Sequence, residues 1–141
     1  MNKIRICNAK TSGFTPIDFR NNPEIKRFGV HTGTSTLVPM YGDLLKPIVG
    51  EKTEETFRDF ALSKEQTEQI QAVFEEQIDI HIPKMETKLP YDNFIEWKGK
   101  KYEMNLRLHS PMNRRIMDFY KIITICKECL AEVKPMYLSI E

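Results

Sequence analysis

The residues best suited to covalent or metal chemistry are three cysteines, Cys7, Cys126 and Cys129. Cys126 and Cys129 have the C-x-x-C spacing that can ligate zinc or exchange thiols. A zinc site needs further ligands, and the 141-residue sequence contains no second paired-ligand motif. The pair also lies late in an apolar helical pattern, whereas a reactive thiol is favoured at a helix start. We therefore expect the cysteines to pack in the core, and we assign no metal site and no cofactor.

A segment rich in glycine and hydroxyl groups, His31–Thr36, is the first candidate binding site. Its backbone amides and hydroxyls could hydrogen-bond an anion such as phosphate. The segment lacks the spacing of a P-loop, and a turn between strands is the alternative interpretation. The ligand-binding hypothesis combines this segment with basic residues before it and at a helix start. Its residues are Arg27, His31, Thr32, Gly33, Thr34, Arg114 and Arg115.

A cluster of basic residues with interleaved aromatics is the second candidate. Lysine and arginine neutralise phosphates or carboxylates, and aromatic faces stack on bases. Solvated lysines at a hairpin tip are the alternative explanation. The acidic region at residues 51–79 could bind such cations in a partner or in a second copy of the chain. The residues predicted to contact a partner are Lys98, Lys100, Lys101, Arg107, Glu75 and Glu76.

Charge is distributed unevenly along a chain whose formal net charge is only +1. Residues 1–50 carry seven basic and three acidic side chains, residues 51–79 three and nine, and residues 98–121 seven and two. The near-neutral total argues against nonspecific nucleic-acid binding. The segregation favours recognition of a partner with complementary charge.

The first third of the sequence predicts short strands and turns. Lys3–Cys7 alternates with a period of two, and Arg27–His31 fits another strand. Leu37–Tyr41 is apolar, but Pro39 makes it an edge strand or no strand. We expect this third to be irregular.

The middle of the sequence predicts one or two shorter helices at about residues 54–76. Glu54–Leu62 fits a short helix that buries two phenylalanines. Ser63 and Gln66 fit a capping box that begins a second helix. Ile78–Ile82 then alternates as a strand does.

The last part of the sequence predicts a hairpin, the longest helix and a final strand. A short connection with glycine at 98–100 joins two alternating segments. Ser110 as N-cap and Pro111 at the first position begin a helix at about 111–133. The predicted fold class is α+β: a largely antiparallel sheet packed by this long helix, in a single domain of residues 1–141.

These features together favour a binding protein over an enzyme. The histidines belong to no G-x-S-x-G or H-E-x-x-H motif, so we assign no catalytic residue. Without a secretory signal or a membrane-length apolar run, we expect a cytoplasmic protein. It would be a regulator, inhibitor or accessory subunit that binds another protein, and homo-oligomers are compatible with its charges. One alternative is a protein that binds a nucleotide or other small phosphate-bearing ligand with the 27–36 segment and the basic residues near 114–115. The others are an enzyme at that same site and a protein that binds nucleic acid at the basic cluster.

Overall fold

The computed structural model describes residues 3–31, 37–107 and 110–141. Within these ranges, strands and helices alternate along most of the chain. The strands are β1 (Lys3–Cys7), β2 (Arg27–His31), β3 (Phe57–Ala61), β4 (Asn93–Trp97), β5 (Lys100–Met104) and β6 (Tyr137–Ile140). The α-helices are α1 (Pro16–Asn21), α2 (Leu37–Val49), α3 (Lys64–His81) and α4 (Pro111–Ala131). Short 3-10 turns follow α2 at Gly50–Glu54 and α3 at Ile82–Lys84.

A four-stranded antiparallel sheet in the order β2-β1-β6-β3 forms one layer of the fold. Alternation along β1 puts Ile4 and Ile6 on the same face. Ile4 lies opposite Val30 on β2 and Ile140 on β6. These three side chains and that of Ile6 are buried. The helices α2 and α4 contact β1 and β2, so this apolar face is the sheet's contribution to the core.

The helices α3 and α4 pack against each other and form the second layer. The rings of Phe74 on α3 and Phe119 on α4 lie 5.5 Å apart, and Tyr41 of α2 contacts both. Ser63 and Gln66 form the reciprocal hydrogen bonds of a capping box at the start of α3. These aromatic contacts join three helices into one apolar cluster with the sheet.

The strands β4 and β5 form a separate hairpin that is attached to the end of α3. Its two-residue loop, Lys98 and Gly99, has φ angles of 50° and 79°, as a type I′ turn requires. The Nε1 of Trp97 donates to Asp79 Oδ1 at 2.9 Å. Trp97 and Met104 are buried in the main apolar cluster, so the hairpin belongs to the same core.

The predicted α+β fold class is confirmed. The antiparallel sheet, the hairpin, the capping box at Ser63 and the final strand are all present, and the long helix starts at Pro111. That helix ends at Ala131, two residues before the predicted end. In the described ranges, no helix combines the length and apolarity that crossing a membrane requires.

The prediction of a helix at Glu54–Leu62 is wrong, because β3 occupies most of this range. Phe57 lies opposite Ile140 and Phe60 lies opposite Leu138, so the register shifts between the two pairs. A bulge adds one residue to a strand and brings side chains three apart onto one face. The two phenylalanines therefore have the three-residue spacing of a helix face although they lie on a strand.

The prediction of a strand at Ile78–Ile82 is also wrong, because α3 continues through His81. Ile78 is buried one turn after Phe74, and the His81 ring packs edge-on against Phe119 at 5.3 Å. These contacts extend the buried face of the helix by one turn. A run of five alternating residues is too short to separate the two periods.

The first third is more regular than predicted. The segment Leu37–Tyr41 begins the helix α2 and is not a strand. Pro39 lies in the first helical turn, where its missing amide hydrogen removes no intrahelical bond. The helix α1 begins at Pro16 with Thr15 and Asp18 in a capping box, which sequence inspection missed.

Candidate functional site

A groove of about 450 Å³ lies between α4, the start of β4 and the segment that leads into β2. Its volume is within the range of ligand sites in proteins. We call it the basic groove. It is lined by Pro23, Ile25, Lys26, Arg27, Asn93, Phe94, Met117, Tyr120, Lys121, Thr124 and Ile125.

The buried side chain of Asn8 holds one wall of the basic groove in place. Its Nδ2 donates to the carbonyl of Glu24 and to Glu128 Oε2 on α4, both at 2.9 Å. Its Oδ1 accepts from the amide of Lys26 at 2.9 Å. One amide side chain therefore ties the segment before β2 to α4, and this fixes where Lys26 and Arg27 lie.

The charges of the groove are all positive. Lys26, Arg27 and Lys121 are exposed, and no carboxylate is among the described residues that line it. None of the three forms an ion pair with any residue in the described ranges. The guanidinium of Arg27 instead lies 3.6 Å above the ring of Phe19. The groove therefore carries three cations without an ion pair to a described residue, of which Arg27 stacks on Phe19 and Lys121 lies one turn from Asp118.

Apolar and aromatic side chains form the rest of the groove. Ile25 is half-buried and contributes aliphatic surface, and the core residues Met117 and Ile125, 9% and 3% exposed, form the base beneath it. Phe94 remains 48% exposed, with the Lys101 ammonium 4.4 Å from the centre of its ring. An apolar floor with cations at its edges suits a ligand that carries both negative charge and apolar groups.

The predicted ligand-binding residues are spread over different parts of the fold. Arg27 lines the basic groove, but it begins β2, whereas His31 ends that strand. Five strand residues span about 13 Å between these two positions. Thr32, Gly33 and Thr34, with the side chain of His31, lie outside what the structure describes. The hypothesis of a phosphate site in that segment therefore stays a prediction.

The two helix-start arginines of the ligand hypothesis lie on the first turns of α4. The guanidinium of Arg114 donates to the carbonyl of Leu106 at 3.1 Å. Arg115 lies beside the buried Tyr41. Burial and the nearby Asp118 raise the pKa of Tyr41 well above its usual value, and Arg115 offsets only part of this increase. Within the described ranges, the Tyr41 hydroxyl and Arg115 Nε are buried without hydrogen-bond partners. This polar cluster is separate from the lining of the basic groove.

The hairpin cations of the partner hypothesis differ from the groove cations because most have carboxylate neighbours. Lys98 bridges Asp79 at 2.8 Å, Lys101 approaches Glu103 at 3.7 Å, and Arg107 approaches Asp92 at 3.6 Å. Lys100 lies over Tyr102, and with Lys101 and Glu103 it lines a second groove of about 500 Å³. These residues stay predicted contacts, but their positive charge is partly neutralised.

The remaining predicted partner residues, Glu75 and Glu76, lie on α3. Glu76 is exposed, whereas Glu75 is half-buried and lines, with Glu68 and Lys64, a shallow groove beside Leu130 of α4. Glu65 and Glu68 precede them on the helix by about two to three turns. No described residue forms an ion pair with these carboxylates. We call this surface the acidic stripe. It consists of Glu65, Glu68, Glu75 and Glu76.

The cysteines are buried in the core, as predicted. Cys126 and Cys129 are both 0% exposed and free. Burial, the largest cause, raises the pKa of Cys126 to about 12 and that of Cys129 to about 11. The Cys126 thiol lies 3.7 Å from Met136 Sδ. Among the residues with described positions, no three His, Cys, Asp or Glu side chains form a cluster that could hold a metal ion.

Sequence inspection missed most of the basic groove, including Lys26, Lys121, Phe94 and Tyr120. Lys26 adjoins a predicted strand, and Lys121 lies on a predicted helix, but no local motif links them. Their proximity arises from tertiary packing alone. Comparison with known proteins adds no relative: no family model matches the chain, and neither curated proteins nor solved structures give a significant match.

Proposed function

We propose that this chain is a cytoplasmic binding protein, without catalytic activity of its own, that holds an acidic segment of another protein in the basic groove. A regulator, inhibitor or accessory subunit acts in this way. The single observation that carries the proposal is the set of three exposed cations, Lys26, Arg27 and Lys121, around an apolar floor with no carboxylate in the described lining. Surfaces of this kind attract and orient a partner of opposite charge.

The apolar floor favours a protein segment over a simple anion. Burial of apolar side chains contributes about 25 cal/mol per Å² of surface removed from water. Each exposed ion pair contributes only about 0.2–1 kcal/mol. A segment that inserts aliphatic side chains beside Ile25 and Met117 gains more than one that offers carboxylates alone. The charges then provide orientation and a fast association rate.

The position of Arg27 also favours the groove over the His31 segment as the principal site. Arg27 is part of the groove lining but lies at the far end of β2 from His31. A nucleotide remains the second candidate, because Phe94 and Tyr120 offer aromatic surface beside the cations. The two candidates are separated by the test below.

The proposal is tested with fluorescence anisotropy and a short labelled peptide in which glutamates alternate with leucines. We expect saturable binding that Lys121→Glu and Arg27→Glu each weaken by about tenfold, since a reversed charge turns attraction into repulsion. Lys127→Glu is the matched control, because Lys127 is exposed on the same helix but does not line the groove. We expect Lys127→Glu to change the affinity by less than about threefold.

Three further probes define the ligand class. A peptide with glutamine in place of glutamate tests the need for charge, and ATP and a single-stranded oligonucleotide test the nucleotide candidate. Preference for the acidic peptide supports the proposal. Preference for ATP or the oligonucleotide, equal losses in the groove and control variants, or no binding of any acidic peptide would each contradict it.

A further inference from the structure

We propose that the basic groove also accepts the acidic stripe of a second copy of this chain, so that self-association competes with partner binding. This inference rests on the proposed function of the groove and names a regulator of it. The occupant is the acidic stripe of α3, with Glu65, Glu68, Glu75 and Glu76. The two surfaces would meet in a head-to-tail contact.

Charge complementarity carries the inference. In the described ranges, neither the three groove cations nor the four stripe carboxylates form an ion pair. Other charged residues of the same surface, such as Lys98 and Asp79, are paired within the chain. Each patch thus carries several charges of one sign that no described residue pairs, and two patches of opposite sign attract and orient each other.

The two patches face different directions, so one copy cannot satisfy its own charges. Phe119 faces α3, as its ring contacts with Phe74 and His81 show. At about 100° per residue, the groove residues Tyr120, Lys121 and Thr124 lie about 150° around α4 from the side that faces α3. The acidic stripe lies on α3, with Glu68 and Glu75 beside Leu130 near the C-terminal end of α4. A contact between groove and stripe is therefore intermolecular and heterologous, and it leaves a free patch at each end of the assembly.

The expected association is weak and sensitive to salt. Exposed ion pairs are individually weak, and Leu130 is the one large apolar side chain that lines the described groove beside Glu68 and Glu75. We expect a dissociation constant of roughly 0.1 mM at low ionic strength. It should weaken by about tenfold or more between about 0.05 and 0.5 M salt, because the screening length falls severalfold over this range.

The test is sedimentation velocity of the full chain over a range of concentrations at both salt levels. The average mass should rise with concentration at low salt and stay that of a monomer at high salt. Lys26→Gln/Lys121→Gln removes the groove charges, and Glu75→Gln/Glu76→Gln removes half of the stripe. Each variant alone should be monomeric, because one of its two surfaces is disabled.

A mixture of these two variants gives the sharpest result. Each contributes one intact surface, so the mixture should form a one-to-one dimer and nothing larger. Lys127→Gln and Glu96→Gln, which alter exposed charges outside both patches, should associate as the unaltered chain does. Monomeric behaviour at every concentration, a mixture that stays monomeric, or equal losses in the control variants would overturn the inference.

The same samples separate failure of this inference from failure of the proposed function. If the chain binds the peptide but does not self-associate, the proposed function stands and only the proposal that a second copy occupies the groove is refuted. Self-association without peptide binding removes the proposed function. If both hold, the acidic peptide should dissociate the assembly, since the two compete for one groove.

Discussion

Asp118 lies on α4 one turn before Lys121 and is half-buried. Burial raises the pKa of its carboxyl group to about 6, although Lys121 and Arg114 act in the opposite direction. Between about pH 4 and 6 the folded chain holds a proton that the unfolded chain has released. Raising the pH through this window therefore lowers the free energy of unfolding, by about 1–3 kcal/mol once partial exposure is allowed for.

Asp118→Asn should remove this pH-dependent loss. We expect the variant to be more stable than the original chain by about 1–3 kcal/mol near pH 7.5 and nearly unchanged near pH 4. Urea unfolding at both pH values measures the difference. Asp43→Asn, at an exposed carboxylate on α2, is the control and should show no such divergence. A lower stability of Asp118→Asn at neutral pH would show that the carboxylate makes a favourable contact in the fold.

At the scale of a secondary-structure element, the end of α4 carries backbone strain. The amides of Val133 and Lys134 donate to the carbonyls of Leu130 and Cys129 at 3.3 and 3.0 Å, as in a Schellman motif. Val133 has φ 53°, a left-handed conformation that favours glycine, and its side chain is 89% exposed. Val133→Gly should therefore stabilise the chain by about 1 kcal/mol, because relief of strain exceeds the added entropy of the unfolded chain.

Thermal unfolding tests this prediction about the helix end. Val133→Ala is the control, because it removes exposed apolar surface but keeps the Cβ atom that causes the strain. We expect a higher melting temperature for the glycine variant only. A gain of the same size in the alanine variant would assign the effect to the exposed methyl groups and not to the backbone.

The elements that could be predicted are those whose signals are local. The caps at Ser63 and Ser110 and the hairpin turn at Lys98 and Gly99 depend on residues a few positions apart. The strand β3 could not be predicted, because the bulge between Phe57 and Phe60 gives a strand the spacing of a helix. Only pairing with β6, about 80 residues away, identifies it.

The candidate site was only partly predictable, because most of its residues come together only in the folded chain. Uneven charge along the sequence indicated opposite patches, and Arg27 was among the predicted ligand residues. The groove itself depends on Asn8, which bonds residues 24 and 26 and also Glu128 of α4, 120 positions away from it in the sequence. Which cations are neutralised, as Lys98 is by Asp79, is also a property of the folded chain.

At the scale of the whole molecule, the small net charge conceals repulsion within each patch. Glu65 and Glu68 of the acidic stripe are one turn apart on α3 and repel each other, as do the neighbouring Glu75 and Glu76. The ion pairs that salt would weaken are mostly exposed and contribute little. Added salt should therefore raise the stability of the monomer.

We expect the melting temperature to increase by about 2–4 °C between about 0.05 and 0.5 M sodium chloride, measured by calorimetry at a concentration where the chain is monomeric. Glu75→Gln/Glu76→Gln should reduce the increase, whereas Glu96→Gln should not. A melting temperature that falls with salt would show that attraction between paired charges, such as Lys98 and Asp79, outweighs repulsion within the patches.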